Sequence, residues 1–336
     1  MTIKDIARLC GVSVSTVSRV LNERPDVSPP VREKVLEAVR SSNYIPNNSA
    51  RDLVKTSSDA IGLVVRGVAN LFYADIIKTL EREIDTAGYT MVMQQIGTCD
   101  DEIKCGAMME REKKLRGIVF LGGRSDYARE ELALLNVPFV CCAYTNNFGT
   151  LSEGEYSSVS IEDVAAAECA VERLYILGHR RIAALVCDRA DRSISELRYY
   201  GYVNALEKRG IRLDDTLVEC AGSFEMEDAY AATRRLISRT RDFTSMFVIS
   251  DAMAIAAMKA LADSGVRVPE DCSVVAIDGL RLSEYVCPTL TTLCQPAEEM
   301  GRESVRILVD MIEGRGDNRQ HTVHTEFRAG GSVRRI

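Results

Sequence analysis

DIARLCGVSVSTVSRVLN, residues 5–22, decides how the rest of this chain is read. Ile3, Ile6, Ala7 and Cys10 recur at helical spacing and form one apolar stripe. Thr2 is placed to cap that helix, with Asp5 three residues on as a short relative of the capping box. Gly11 takes the positive φ that ends a helix, and Ser13 is placed to cap a second one. There Val17, Val20 and Leu21 turn inward, leaving Ser15, Thr16, Ser18, Arg19 and Asn22 outside. Two short helices joined through a glycine turn form a helix-turn-helix.

The second helix is rich in β-branched residues and serines, which are poor helix formers. A face of small hydroxyls with one arginine suits a helix lying in a major groove. Hydroxyls bind phosphates there, and arginine bonds guanine in bidentate fashion. Ser28-Pro29-Pro30 then opens a third helix, with Val31, Val35, Leu36 and Val39 as its expected inner stripe. NYIPNNSARDLVKTSS, residues 43–58, is polar, broken by Pro46 and carries the large apolar Leu53, so it reads as a linker. Charge follows the same division. Residues 1–58 carry a net +3 and the remainder a net −10, within a total of −7 over 336 residues. A basic opening segment on an acidic chain fits a DNA-contacting module attached to a larger sensor.

From residue 60 apolar strands alternate with helical runs: AIGLVV, YTMVMQQ, GIVFLGG and PFVCCAY, then RIAALVCD, LVECAGS, SMFVIS and SVVAIDG. The rhythm predicts two sets of parallel α/β structure. Ligands of such sheets bind beyond the carboxyl ends of the strands, here in a cleft between two lobes. The eleven cysteines lie scattered through apolar runs without a CxxC pair, as expected for reduced thiols in a cytoplasmic protein. Met1 is followed by a polar stretch, and no apolar run approaches the roughly 18 residues of a membrane span. Nothing points to an enzyme, a cofactor or a metal. His179, His321 and His324 are the only histidines, and the last two, three apart on a strand, point to opposite faces. LGG at 121–123 is not a phosphate loop, and no GxGxxG, GxxxxGK[ST] or GxSxG occurs.

TIKDIARLCGVSVSTVSRVLN, NYIPN and ARDLVKTSS leading into IGLVV together resemble the LacI/GalR family of bacterial transcription regulators, over essentially the whole chain. The later stretches NLFYADI, RLYILGHRRIA, SDAMAIAAMKAL, VPEDCSVVAIDG and PTLTTLCQPAEEMG fit that family's sensor, which is similar to periplasmic binding proteins. The resemblance implies an N-terminal all-α helix-turn-helix head over residues 1–46, a hinge over 47–58 and an α/β two-lobed, periplasmic-binding-protein-like domain of parallel sheets over 59–336. Lobe 1 is expected at about 59–160 and 290–320, lobe 2 at about 161–289 and 321–336.

On the DNA side the resemblance puts Val14, Ser15 and Arg19 at base-reading positions, and Thr16, Ser18 and Asn22 at phosphate-side positions. It adds Thr2, Ser13, Ser28, Tyr44 and Asn47 as contacts, with Leu53 beside Ala50 as a minor-groove wedge. Asp52 departs from the uncharged residue expected before that leucine. On the effector side it puts Phe72, Tyr73, Tyr144, Arg192, Arg198, Phe224, Asp251 and Asp278 in the cleft. Ala143 stands where relatives often have an aspartate, and Ile194 where many have a polar contact. The implied protein is a cytoplasmic regulator, usually a repressor. It binds a near-palindromic double-stranded operator as a homodimer, under allosteric control by a small molecule, sugar-like or alternatively a nucleobase. A small-molecule-binding protein without repressor action, or a ligand-dependent activator, is the alternative.

Overall fold

A computed structural model describes residues 2–21, 24–42, 58–67, 70–98 and 100–336. The chain divides into two compact units, residues 1–56 and 57–336.

Among the described residues the first unit holds three helices, α1 (Ile3–Cys10), α2 (Val14–Leu21) and α3 (Pro29–Ser41). The Asp5 carboxylate accepts from both the amide and the hydroxyl of Thr2, each at 2.9 Å. Gly11 closes α1 at φ 64°. Ser13 caps α2, its hydroxyl oxygen accepting from the Thr16 amide at 3.1 Å. A propensity-poor helix of eight residues depends on packing. Val17 and Val20 supply it, buried against Ile6, Ala7, Cys10 and Val35. Leu36, expected in the inner stripe, is instead exposed. Val31, Val35 and Val39 already line the inner face of α3, and one residue beyond Val35 the helix has turned by about 100°. Leu36 joins Val20, Leu21, Pro25 and Arg32 around a shallow surface groove.

The second unit is built on two six-stranded sheets. The first contains β1 (Ala60–Arg66), β2 (Thr90–Ile96), β3 (Gly117–Leu121), β4 (Phe139–Cys142) and β5 (Ser157–Ser160). Helices α4 (Tyr73–Thr86), α5 (Glu102–Lys113) and the short α6 (Arg129–Leu132) connect them. Helix α7 (Asp163–Ile176) opens the second lobe, followed by β6 (Ile182–Val186), α8 (Ile194–Lys208), β7 (Val218–Cys220), α9 (Met226–Arg239), β8 (Ser245–Val248), α10 (Asp251–Asp263), β9 (Ser273–Asp278) and β10 (Thr291–Cys294). Helix α11 (Ala297–Ile312) and β11 (Gln320–Thr322) rejoin the first lobe, and β12 (Glu326–Arg328) ends in the second. The sheet orders are β11-β5-β4-β3-β1-β2 and β12-β10-β9-β8-β6-β7. Every pairing is parallel except the antiparallel β10–β12 edge.

The lobe borders differ from those expected. Residues 290–294 do not belong to lobe 1: β10 pairs with β9 in the second sheet, Cys294 opposite Asp278, and the chain crosses only afterwards. Nor does lobe 2 resume at 321, because His321 pairs with Val159 in the first sheet. A buried strand such as TTLC reads alike in either sheet, so its pattern gives the strand without its partner. After the crossing, α11 lies on α4, where Gly301 allows close approach: a Cβ there would stand 2.9 Å from that of Thr79.

His179 is buried, its ring nitrogens bonded to the Thr244 hydroxyl at 2.9 Å and the Arg334 carbonyl at 3.2 Å. It ties the C-terminal segment to lobe 2. All ten described cysteines are free thiols. Among the described residues no helix is long and apolar enough to cross a membrane.

Candidate DNA-contact face and effector cleft

Helix α2 presents the face its sequence implied. Val14 is 40% exposed, and Ser13, Ser15 and Arg19 are exposed beside half-buried Thr16 and Ser18. The Ser13 hydroxyl lies 2.7 Å from that of Ser15 and 2.8 Å from that of Thr16, forming a chain of exchangeable donors and acceptors. Arg19 pairs with Asp26 at 3.4 Å, and both side chains are more than half exposed. Such a pair contributes little, so the guanidinium can be given up to a base or phosphate at small cost. The Thr2 hydroxyl is engaged with Asp5, and the Ser28 carbonyl accepts from the Val31 and Arg32 amides at the start of α3. Asn22, Tyr44, Asn47, Ala50 and Leu53 lie outside the described residues.

In the second unit the cleft positions fall at the carboxyl ends of both sheets. On the lobe 2 side Arg198, from α8, is 1% exposed. Its Nε donates to Asp163 Oδ1 at 2.8 Å, and its Nη1 to the Ile249 carbonyl at 2.5 Å and Asp278 Oδ1 at 3.2 Å. Gln295 Nε2 donates to the same Asp278 oxygen at 2.8 Å. Burial raises the pKa of both carboxyls, and the guanidinium opposes it. Asp278 ends β9 at φ 136°, a region that favours glycine. Asp251 is fully buried, with one oxygen accepting from the Leu280 amide at 2.8 Å and the other from the Thr292 hydroxyl. It was expected to line the cleft. Its place is behind Asp278, bracing the turn after β9 against β10, so both oxygens already have partners. Phe224, on the loop between β7 and α9, is half-buried against the same core.

On the lobe 1 side Phe72 and Tyr73 start α4, both buried, with ring centroids 6.3 Å apart. Tyr73 senses Asp278 and Arg198 of the other lobe, and burial pushes its hydroxyl up to about 12. The pair Gly122-Gly123 seats two tyrosines: a Cβ on Gly122 would fall 3.0 Å from Tyr73 Cζ, and one on Gly123 2.6 Å from the Tyr144 hydroxyl. Tyr144 is buried beside Glu102, the first residue of α5. Glu102 accepts from the Arg124 amide at 2.7 Å and from the Tyr127 hydroxyl, and it faces Arg66 Nε at 3.5 Å. Burial raises the Glu102 carboxyl, opposed by that amide and by Arg66.

The lobes meet through Arg192. Its carbonyl accepts from the Ser125 amide at 2.9 Å. Its guanidinium lies 5.0 Å from the centre of the Phe148 ring and 3.5 Å from Glu196. Neighbouring Ile194 packs against the lobe 1 core. Ala143, Arg192 and Asp278 are three of the four non-glycine residues with clearly positive φ among the described residues; the fourth is Lys114. Backbone strain of this kind gathers where a binding site is held ready.

The family resemblance placed Arg198 and Asp278 in the cleft and missed their partners Asp163 and Gln295, as well as Arg66, Glu102, Arg124, Ser125 and Tyr127 on the lobe 1 wall. The available signals were a double glycine after a buried strand and an acid opening a helix. Among the described residues no group of three or more His, Cys, Asp or Glu side chains could hold a metal ion.

Comparison with known proteins accords with this geometry. Residues 2–47 match the bacterial regulatory proteins of the lacI family, and residues 171–333 match a periplasmic binding protein-like domain. The HTH-type transcriptional regulator MalR of Clostridium butyricum is 37% identical over 97% of each chain. A solved transcriptional regulator CelR–cellobiose complex is 32% identical, covering 99% of each chain with a TM-score of 0.74. The lac repressor dimer bound to operator and the anti-inducer ONPF is 26% identical, again over 99% of each chain, with a TM-score of 0.79.

Proposed function

The chain belongs to the LacI family of bacterial regulatory proteins, and from that premise we propose how its parts divide the work of a ligand-controlled, DNA-binding transcription regulator. It acts in the cytoplasm as a homodimeric repressor on a near-palindromic operator. Two copies of α2 enter successive major grooves, with Val14, Ser15 and Arg19 reading base edges. Thr2, Ser13, Thr16, Ser18, Asn22, Ser28, Tyr44 and Asn47 grip the backbone, and Ala50 and Leu53 meet the minor groove. The observation that carries this reading is the exposed hydroxyl face of α2, retained at the expense of helix propensity.

The effector is a sugar held between Phe72, Tyr73 and Phe224 on one hand and Arg192, Arg198 and Asp278 on the other. Carboxylate oxygens accept its hydroxyl hydrogens, guanidinium groups donate to its oxygens, and rings cover its C–H face. The cellobiose seated in the CelR complex supports that class. Binding changes the angle between lobes, and the coupling to DNA is reciprocal.

Selection from random duplex DNA by the full-length protein at fixed moderate salt, with and without pooled sugars, tests the whole reading. A two-fold symmetric motif is expected, with retention altered by sugar; absence of enrichment in both arms would reject it. Arg19→Ala is expected to cost about 1–3 kcal/mol and to blur one base of each half-site. Equal loss on all sequences would move Arg19 to the phosphate-contacting set.

A further inference from the structure

The loop that leads from α2 to α3 is tied down on both flanks. The Arg24 amide donates to the Arg19 carbonyl at 3.0 Å, and the Arg24 carbonyl accepts from the Arg32 guanidinium of α3. Pro25 has its φ fixed by its ring and lines the groove beside Leu21 and Leu36. Val27 packs against the head core. Between Pro25 and Val27 stands Asp26, its side chain 56% exposed, with Oδ2 3.4 Å from Arg19 Nη1. The fold of the loop therefore sets where this carboxylate stands. The ion pair itself is too weak to do so.

A carboxylate next to a DNA-contact face works against binding. DNA carries one phosphate charge per roughly 1.7 Å of its axis, and these repel Asp26 whatever the sequence. What Asp26 offers in return falls on Arg19. A guanidinium carries five N–H donors in a rigid fork. Asp26 faces the two on Nη1, and the three on Nε and Nη2 are left for the O6 and N7 acceptors of a guanine edge. Without Asp26 the fork turns on a long, exposed side chain and meets a phosphate as readily as a base.

We propose that Asp26 is a positioning residue for base reading: it holds Arg19 from one side and so sharpens discrimination at one base pair of each half-site. The inference rests on the DNA reading of α2 and goes beyond it in naming the residue that aims Arg19. Its effect is on specificity more than on affinity. Unmatched DNA offers Arg19 phosphates, which draw it away from Asp26. A guanine in the right place takes the remaining donors and leaves the pair intact. The matched site therefore keeps an interaction that other sequences break, whereas the repulsion between Asp26 and phosphates falls on all sequences alike.

Selection from random duplex DNA tests this, with the full-length wild type, Arg19→Ala, Asp26→Asn and the double variant at one moderate salt concentration. Asp26 is exposed, so Asp26→Asn is expected to leave the unfolding midpoint unchanged. The wild type is expected to enrich a two-fold symmetric motif containing a guanine whose preference falls about 5- to 100-fold in Arg19→Ala. Asp26→Asn is expected to lower the preference at that base about 2- to 5-fold, the worth of an exposed ion pair, and to keep the rest of the motif. Added to Arg19→Ala, it is expected to change nothing further at that base. Wild-type preference at that base, with retention of every sequence raised equally, would mean that Asp26 only repels phosphates and would overturn the proposal. A loss spread over the whole motif would make Asp26 structural, and a further change in the Arg19→Ala background would show that it acts without Arg19; either result overturns it. A motif that survives Arg19→Ala intact would remove Arg19 from base reading, and no motif from the wild type would reject the DNA reading itself. The positioning role falls in both cases.

Discussion

The two walls of the cleft are built to opposite rules. In lobe 2 the Asp163–Arg198–Asp278–Gln295 network is closed on itself, one guanidinium shared between two buried carboxylates and a carbonyl. In lobe 1 the Arg66–Glu102–Ser125–Tyr144 cluster is buried except at Arg66, whose side chain is 19% exposed, and it leaves Arg66 Nε, Glu102 Oε2 and Ser125 Oγ without hydrogen bonds. A closed network fixes its members, whereas an open one keeps hydrogen-bonding capacity for something that arrives. Lobe 2 therefore keeps fewer free hydrogen-bonding groups at its carboxyl edge, and lobe 1 more.

The sharpest way to break this contrast is Arg198→Met. It leaves Asp163 and Asp278 buried without their cation, and removing one member of a buried pair typically costs about 3–5 kcal/mol. Denaturant unfolding of the full-length protein at neutral pH measures the loss. A loss below about 1 kcal/mol would mean that water or rearrangement satisfies the carboxylates, leaving lobe 2 no more closed than lobe 1. Ser125→Ala carries the opposite expectation: it removes a buried hydroxyl that makes no hydrogen bond, so the unfolding midpoint is expected to be kept.

A smaller effect comes from Asp251. Burial, and then the neighbouring Asp278, push its carboxyl up to about 7. An acid whose pKa is higher folded than unfolded favours the fold at low pH. That contribution is lost as pH rises from its ordinary value near 3.9 towards neutrality. Asp251→Asn is isosteric, still accepts from the Leu280 amide and can donate to the Thr292 oxygen. Relative to wild type, it is expected to gain stability steadily between pH 5 and pH 7, by about 2–3 kcal/mol, and to level off above pH 7. A parallel pair of stability–pH curves would show that Asp251 stays ionised throughout, with Leu280 and Thr292 sufficient to hold its charge.

The same contrast explains how much was legible beforehand. Residue types carried the head, because the capping of Ser13, the turn at Gly11 and the inward valines are local facts of a short helix pair. Arg198 was legible only through the family resemblance of SELRYYGY, and Asp278 also through its place at the end of the strand SVVAI. The lobe 1 wall was legible only in part, at Tyr144. Arg66, Glu102 and Ser125 come from three other segments, and only the parallel order β4-β3-β1-β2 brings their ends together with it. Asp251 failed for the reverse reason: its position was right, but the turn at Leu280, nearly thirty residues away, had already claimed it. The lobe assignment of β10 and β11 failed because partner choice is a long-range property that a four-residue apolar run does not encode.

The finest distinction lies in backbone strain. Ala143 holds φ 68° just before Tyr144, while its amide donates to the Val159 carbonyl at 2.9 Å. An aspartate tolerates the left-handed region better than alanine does. Lys114 has φ 53° at the end of α5, away from the cleft residues. Glycine at either position relieves the same strain, and each substitution is expected to stabilise the protein by up to about 1 kcal/mol in denaturant unfolding. Their effects on the cleft should part. Ala143→Gly loosens the approach to Tyr144 and is expected to weaken sugar binding a few-fold, because part of the ordering then falls to the ligand. Lys114→Gly is expected to leave sugar affinity untouched. If both variants bind as the wild type does, Ala143 is strained only by the turn it makes, and the lobe 1 wall owes its shape to the seats at Gly122 and Gly123 alone.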